Sequence, residues 1–217
     1  ILPCPSRRSL LHVDSRSMLK EIIISVSTRN RDSPRHDIPN TGPYNPGGNF
    51  GRNFNHLGDA GLRSVGVVTT SRADYGIYLP MLRLIQADPT LQLHLLVTGT
   101  HLSPEFGLTS QVIQDDGFEI AEKIEMLVSS DTPEGIVKSM GLGLIGLSQA
   151  YSKKRPDILL VLGDRFEMHG AALAALPFKI PVAHIHGGEL TTGAIDDSLR
   201  HSITKLSHLH FVTTDEY

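Results

Sequence analysis

The stretch "DILLVLGD", Asp157–Asp164, sets five consecutive aliphatic residues between two aspartates. A strand with one wet face alternates apolar and polar side chains, so an unbroken apolar run bounded by Pro156 and Gly163 fits a strand covered on both faces. Strands of that kind belong to parallel sheets layered between helices. Downstream, "FEMHGAALAALPF" (Phe166–Phe178) reads as a helix, "IPVAHIH" (Ile180–His186) as a strand, "DDSLRHSITKLSH" (Asp196–His208) as a helix and "LHFVTT" (Leu209–Thr214) as a strand. Upstream lies a helix of about twenty residues within Thr132–Pro156, opened by "TPE" and stopped by Pro156. Before it come strands at Arg63–Thr70, Leu91–Gly99 and Phe118–Met126, with helices at Tyr75–Asp88 and within Phe106–Gly117. Strand and helix alternate throughout, which predicts an α/β fold with a doubly wound parallel sheet of Rossmann type.

The segment before Leu62 has a different composition. Residues 1–61 hold eight Lys/Arg against five Asp/Glu, whereas residues 62–217 hold twelve against eighteen. The run "DIPNTGPYNPGGNFGRNFNHLGDAG" is rich in Pro, Gly and Asn and has no period, so residues 28–60 are expected to lack regular structure. "KEIIISVSTR" (Lys20–Arg29) reads as an isolated strand. The expected division is therefore a largely disordered 1–61 and a folded domain over 62–217. The net charge of −3 leaves no electrostatic footprint for nucleic acid, and no apolar run is long enough to span a membrane. Cys4 is the one cysteine, which excludes an intramolecular disulfide and fits a cytoplasmic location.

In parallel α/β sheets ligands bind beyond the carboxyl ends of the strands. The loops there read "TSRADYG", "TGTHLSPEFG", "LGDRFE" and "HGGELTTGAID", and most residues able to do chemistry collect in them. The G-x-G-x-x-G that dinucleotide folds carry after their first strand is missing there, where the sequence reads "TSRADYG", and no G-x-x-x-x-G-K-[ST] occurs, which argues against dinucleotide cofactors and P-loop chemistry. Arg72 either holds a phosphate or pairs with Asp74. Asp164 is either a desolvated acid/base group, unless Arg165 pulls it back, or the cap of the next helix. His184 and His186 have an H-x-H spacing, but two histidines do not complete a metal site. A buried, hydrogen-bonded His184 is the plainer reading, with His186 at the strand tip the better functional candidate. Asp196 or Asp197 suits a helix N-cap, which does not account for both together with Arg200. His101 is balanced between ligand contact and a loop hydrogen bond.

Taken together, "SRADYG", "TGTHLSPEFG", "LGDRFE", "HIHGGE" and "GAIDDSLRHSITKLSHLHF" resemble the hydrolysing UDP-N-acetylglucosamine 2-epimerases of sialic-acid synthesis, over Arg63 to Tyr217. The resemblance implies the first half of a GT-B-like pair of Rossmann domains, the second domain being absent from this chain, which is then expected to be inactive alone. It implies elimination of UDP followed by hydration to N-acetylmannosamine, without metal or other cofactor, and a homo-oligomer for the full-length protein. By position, Asp164 and Asp196 match acid/base carboxylates, Arg72 and Arg165 match contacts to UDP, and His101 matches a family histidine. Asp74 and Arg200 join the expected substrate contacts. Relatives of the animal branch carry Glu where His186 stands, so Glu189 supplies that carboxylate or His186 is itself the base. Gly76 stands where some relatives have a phosphate-binding Ser. A GT-B glycosyltransferase and an inactive sugar-nucleotide-binding fragment are the alternatives.

Overall fold

A computed structural model describes residues 14–28, 62–190 and 195–214. The expectation for the Pro/Gly/Asn-rich run after residue 28 lies outside the described residues. The elements are α1 (Ser15–Thr28), β1 (Arg63–Thr69), α2 (Arg72–Ala87), β2 (Leu91–Thr98), α3 (Ser110–Asp115), β3 (Ile120–Ile124), α4 (Pro133–Lys153), β4 (Ile158–Leu162), α5 (Phe166–Ala175), β5 (Val182–Ile185), α6 (Ile195–Leu206) and β6 (Leu209–Phe211). Two short 3-10 turns, Gly99–Leu102 and Pro104–Phe106, lie between β2 and α3.

All six strands are parallel and stand in the order β3-β2-β1-β4-β5-β6. That is the Rossmann order, with its reversal between β1 and β4. All five residues of β4 are buried, as the apolar run requires. Each such side chain removed from water contributes about 1.5–3 kcal/mol before chain entropy is charged against it. Right-handed crossovers place α2 and α3 on one face as the chain moves outward from β1 to β3. The return to β4 and the steps to β6 reverse direction, so α4, α5 and α6 take the other face, where they pack against one another in sequence.

That winding provides no crossover helix over β4–β6 on the α2 face. The helix packed beside α2 is α1, with Met18, Leu19 and Ile22 buried in the common core. The strand expected at Lys20–Arg29 is therefore corrected: its described part, up to Thr28, is helical. Its β-branched residues favour strand locally, but Asp14 caps the first turn, with Oδ1 accepting from the amides of Arg16 (2.8 Å) and Ser17 (2.9 Å). The apolar residues at helical spacing then find a partner in α2, and tertiary burial overrides propensity. Among the described residues no helix is long and apolar enough to cross a membrane.

Several caps agree with the sequence. Thr132 Oγ1 accepts from the amide of Gly135 at 3.1 Å ahead of α4, and Ser71 and Asp74 form a capping box at α2. Gly99, just past β2, has φ +61, and a Cβ there would stand 2.7 Å from the Thr70 carbonyl oxygen. Gly99→Ala should therefore cost roughly 2–4 kcal/mol, combining left-handed strain with a backbone clash. Gly141→Ala, in the open on α4 with nothing within 4 Å of the new Cβ, should be neutral or stabilise by about 0.5–1 kcal/mol. Urea unfolding of the two variants measures the contrast, and equal stabilities would refute it.

Candidate active site at the carboxyl ends of the strands

The first half of the site is a buried polar knot at the β1–β4 reversal. Asp74, on the first turn of α2, accepts from Thr69 Oγ1 (2.7 Å), from the Thr70 amide (2.8 Å) and hydroxyl (2.7 Å), and from the Ser71 amide. Burial works against its ionisation, but these donors and His101 hold its carboxyl below the usual carboxylate range. The single hydroxyl proton of Thr69 goes to Asp74, so at the 2.9 Å contact with His101 the ring Nε2 must be the donor. The other ring nitrogen of His101 lies 2.7 Å from Thr109 Oγ1, and the imidazole is wholly buried. Asp74 and His101, expected to touch substrate, are buried and brace the loops after β1 and β2 from within.

Arg72 is exposed on the same turn and makes no ion pair among the described residues, so its pairing with Asp74 is excluded. Arg165 also faces outward, its side chain 42% exposed. It is held by the fully buried Glu167, through Nε at 3.2 Å and Nη2 at 2.7 Å. The first turns of α2 and α5 thus present two guanidinium groups at the crevice where the strand order reverses. Sequence reasoning missed Glu167; its only signal was a carboxylate two residues after Arg165 in an otherwise apolar helix.

The second half lies beyond β4, β5 and β6. Arg200, from α6 and almost buried, donates through Nη2 to Asp164 Oδ2, through Nη1 to Glu189 Oε2 (2.7 Å), and through Nη1 to the His186 carbonyl (3.2 Å). Thr213, after β6, donates to the remaining Glu189 oxygen at 3.0 Å. Burial alone would raise the Glu189 pKa, but Arg200, Thr213 and the nearby His186 bring it below its ordinary value. Asp164 is paired by Arg200, not by Arg165, and it does not cap α5, whose N-cap position is Arg165. Asp196 and Asp197 both sit inside the first turn of α6, so neither is its N-cap. Asp196 is near enough to Arg165 to contribute to that guanidinium's raised pKa.

His184 and His186 divide as their burial dictates. His184 is fully buried in β5, its Nε2 donating to the Gly163 carbonyl at 2.7 Å and its Nδ1 lying 3.1 Å from Thr204 Oγ1. Desolvation lowers its pKa to about 4, so near neutrality the ring is uncharged with Nε2 as the donor and Nδ1 as the acceptor. Both nitrogens are thereby committed to protein partners. Gly187 permits this, because a Cβ there would stand 2.8 Å from His184 Nδ1. His186 leaves the strand with φ +60, its amide donating to the Phe211 carbonyl at 2.9 Å. This left-handed turn carries its side chain out of the alternation expected for Val182, His184 and His186, towards a cavity beneath the strand ends. Strain at a non-glycine residue of this kind is a mark of functional turns.

The arrangement offers exposed guanidinium groups for an anion and, beside them, two carboxylates fixed by one arginine next to an imidazole. Asp164, His186 and Glu189 are brought together through Arg200; Arg72, Arg165 and Asp196 lie on the neighbouring helix starts. Thr213 escaped the sequence reading, since nothing local distinguishes it from other strand-end threonines.

The His184 shift has a consequence for stability. The unfolded chain protonates this imidazole below about pH 6.5, whereas the folded chain resists protonation until about pH 4. Between those values the unfolded state binds more protons, so stability falls as pH falls, by roughly 3 kcal/mol in total from this group. Burial also lowers the pKa of His94, His169 and His210, so His184→Gln should flatten the acid slope without abolishing it. Urea unfolding at several pH values from 7 to 4 checks this; an unchanged slope in the variant contradicts it.

The comparisons with known proteins fit this geometry. The chain is 44% identical over 155 residues to the GDP/UDP-N,N'-diacetylbacillosamine 2-epimerase (hydrolyzing) of Campylobacter jejuni, a match over 71% of this chain and 40% of that protein. It is 38% identical over 156 residues to the polysialic acid biosynthesis protein P7 of Escherichia coli, covering 72% and 40% of the two chains. The chain therefore spans about 40% of the length of these relatives. Among solved structures, the UDP-GlcNAc 2-epimerase of Neisseria meningitidis, bound to UDP-GlcNAc, superimposes with a TM-score of 0.61 at 23% identity, over 70% of this chain and 40% of that one. That likeness establishes a shared fold. The sequence profile of the UDP-N-acetylglucosamine 2-epimerases matches residues 83–217, more than half of the chain, and the protein belongs to that family.

Proposed function

We propose that the full-length protein is a hydrolysing nucleotide-sugar 2-epimerase, acting on a nucleoside-diphosphate 2-acetamido sugar of which UDP-N-acetylglucosamine is the simplest. It abstracts the C2 proton and expels UDP from C1 to give 2-acetamidoglucal. Water then adds across the double bond, hydroxyl at C1 and proton at C2 from the opposite face, releasing N-acetylmannosamine for sialic-acid-type synthesis. The observation that carries this reading is the Arg200 bridge, which holds Asp164 and Glu189 beside His186 at the strand tips.

The division of labour follows from the charges. Elimination places developing charge on a diphosphate, and preorganised cations lower that barrier; Arg72 and Arg165 supply them on this side of the cleft. An imidazole can take and return a proton near neutrality, and His186 stands beside the ionised Glu189 and the Arg200 bridge. His186 is therefore the proton-transfer group at C2. Asp164 and Asp196 serve the second transfer and the activation of water. Asp74 and His101 keep the arginine-bearing loop in place. Residues 62–217 form the first domain of a two-domain cleft, whose opposite wall holds the nucleotide, so this chain by itself would not turn over substrate. A homo-oligomer in the cytoplasm, where nucleotide sugars are made and used, completes the reading.

Two experiments test it. Asp164→Asn and Asp196→Asn in the full-length protein should each lower turnover of UDP-N-acetylglucosamine by roughly 10²–10⁴-fold, with a much smaller change in KM. N-acetylmannosamine formation followed by NMR reads the effect, alongside a thermal melt to confirm folding. Near-normal turnover in a folded variant would reassign that residue to structure. Because both His184 nitrogens are engaged within the protein, activity should also persist in EDTA; its loss, reversed by one particular divalent ion, would refute the metal-free mechanism.

A further inference from the structure

Glu167 stands on the first turn of α5, where an acidic side chain ordinarily gains from the helix dipole while staying in water. Here the side chain turns inward and is wholly buried. Desolvating a carboxylate costs far more than a helix terminus returns. What Glu167 meets inside is Arg165: Oε2 accepts from Nε at 3.2 Å and Oε1 from Nη2 at 2.7 Å. The loop after β2 closes in behind, since a Cβ on Gly99 would lie 3.2 Å from Oε1. The carboxylate is thus packed on one side and makes a two-point contact on the other, which fixes the plane of the guanidinium.

A buried ion pair is a poor device for stability alone, because apolar residues of the same volume often serve as well or better. This pair is set apart by its second member, whose side chain is 42% exposed. A guanidinium has five N–H donors, and Glu167 takes two of those on Arg165. The other three lie on the edge turned away from Glu167, and an edge of that kind matches two oxygens of a phosphate. Arg165 also follows Asp164 directly, so it is the cation next to the acid/base groups. Arg72, exposed on α2 and without an ion pair among the described residues, has no such brace.

We infer that Glu167 is a positioning residue: it aims the free edge of Arg165 at the phosphate oxygen that leaves C1, and so serves the elimination step and not the hydration that follows. The inference rests on the epimerase reading above. In elimination a base takes the C2 proton, the C–H electron pair becomes the C1–C2 double bond, and the C1–O pair departs with the diphosphate. The charge that develops on the departing oxygen is stabilised most by a donor that need not reorient. An unbraced arginine still attracts the charge that the substrate already carries, so loss of the brace falls on kcat more than on KM. Hydration of 2-acetamidoglucal expels no anion and has no such requirement.

The test uses the full-length protein, with UDP-N-acetylglucosamine for the whole reaction and 2-acetamidoglucal plus UDP for hydration alone. Glu167→Gln, which keeps the volume and removes the charge, should lower kcat for UDP release by about 10²-fold, the scale of one preorganised donor, with KM little changed. Its hydration of 2-acetamidoglucal should match that of the unaltered protein. Glu167→Asp should recover part of the loss. Adding Glu167→Gln to Arg165→Met should cost nothing beyond Arg165→Met alone, because the two side chains act as a unit. If a thermal melt shows Glu167→Gln unfolded, Glu167→Asp and the double variant, which buries no unpaired charge, carry the same comparison. Near-normal UDP release by the folded variant, equal losses in both steps, or single losses that add in the double variant overturn the inference and leave the epimerase reading standing. No UDP release by the unaltered, folded protein overturns both.

Discussion

Burial of β4 on both faces is the constraint from which the rest of this domain follows. Five aliphatic side chains in a row can be kept from water only if strands lie on either side and helices lie above and below. β4 is also the strand reached by the long return crossover, so its pairing with β1 creates the reversal in strand order. On either side of that reversal the connections leave in opposite directions. The crevice they leave open is where α2 and α5 begin, and where Arg72 and Arg165 stand. An apolar pattern with no chemistry of its own thus decides where the chemistry is placed.

Above that apolar floor, the polar groups are held by pairing. Arg200 is nearly desolvated, and such a charge is tolerated because Asp164, Glu189 and a backbone carbonyl surround it. Removing one partner would leave the others buried and uncompensated, which ties the loops after β4, β5 and β6 into one unit. The knot of Asp74, Thr69, Thr70 and His101 does the same for the loops after β1 and β2. Arg165, which Glu167 anchors, also feels Asp74 of the second cluster and Asp196 at the start of α6. Pairing of this kind holds the loops at the carboxyl ends of the strands in fixed positions.

Much of the fold was legible because its signals are local. The apolar run of β4, the Thr132 cap and proline start of α4, and the alternation of short strands with amphipathic helices need no knowledge of distant residues. The helical state of α1 is illegible for the converse reason: three isoleucines in a row carry a strand preference, and the α2 surface that overrides it is encoded about fifty residues away. The site was half legible. Its loops follow from topology, but nothing local signals that Arg200 bridges Asp164 and Glu189. Arg165 was weighed against Asp164 when its partner is Glu167. Nothing local in "GTHL" signals that His101 is completely buried. Each of these depends on pairings across loops, which periodicity does not report.

The two faces of the sheet are covered by different means. On the α4–α6 face, β4, β5 and β6 each lie under a helix of their own βαβ units, so packing there is dictated by the winding. On the α2 face the winding supplies no such helix for these three strands, and α1, packed beside α2, brings Met18 to the cavity at their ends. The apolar cover next to His186 therefore comes from tertiary contact and not from a crossover.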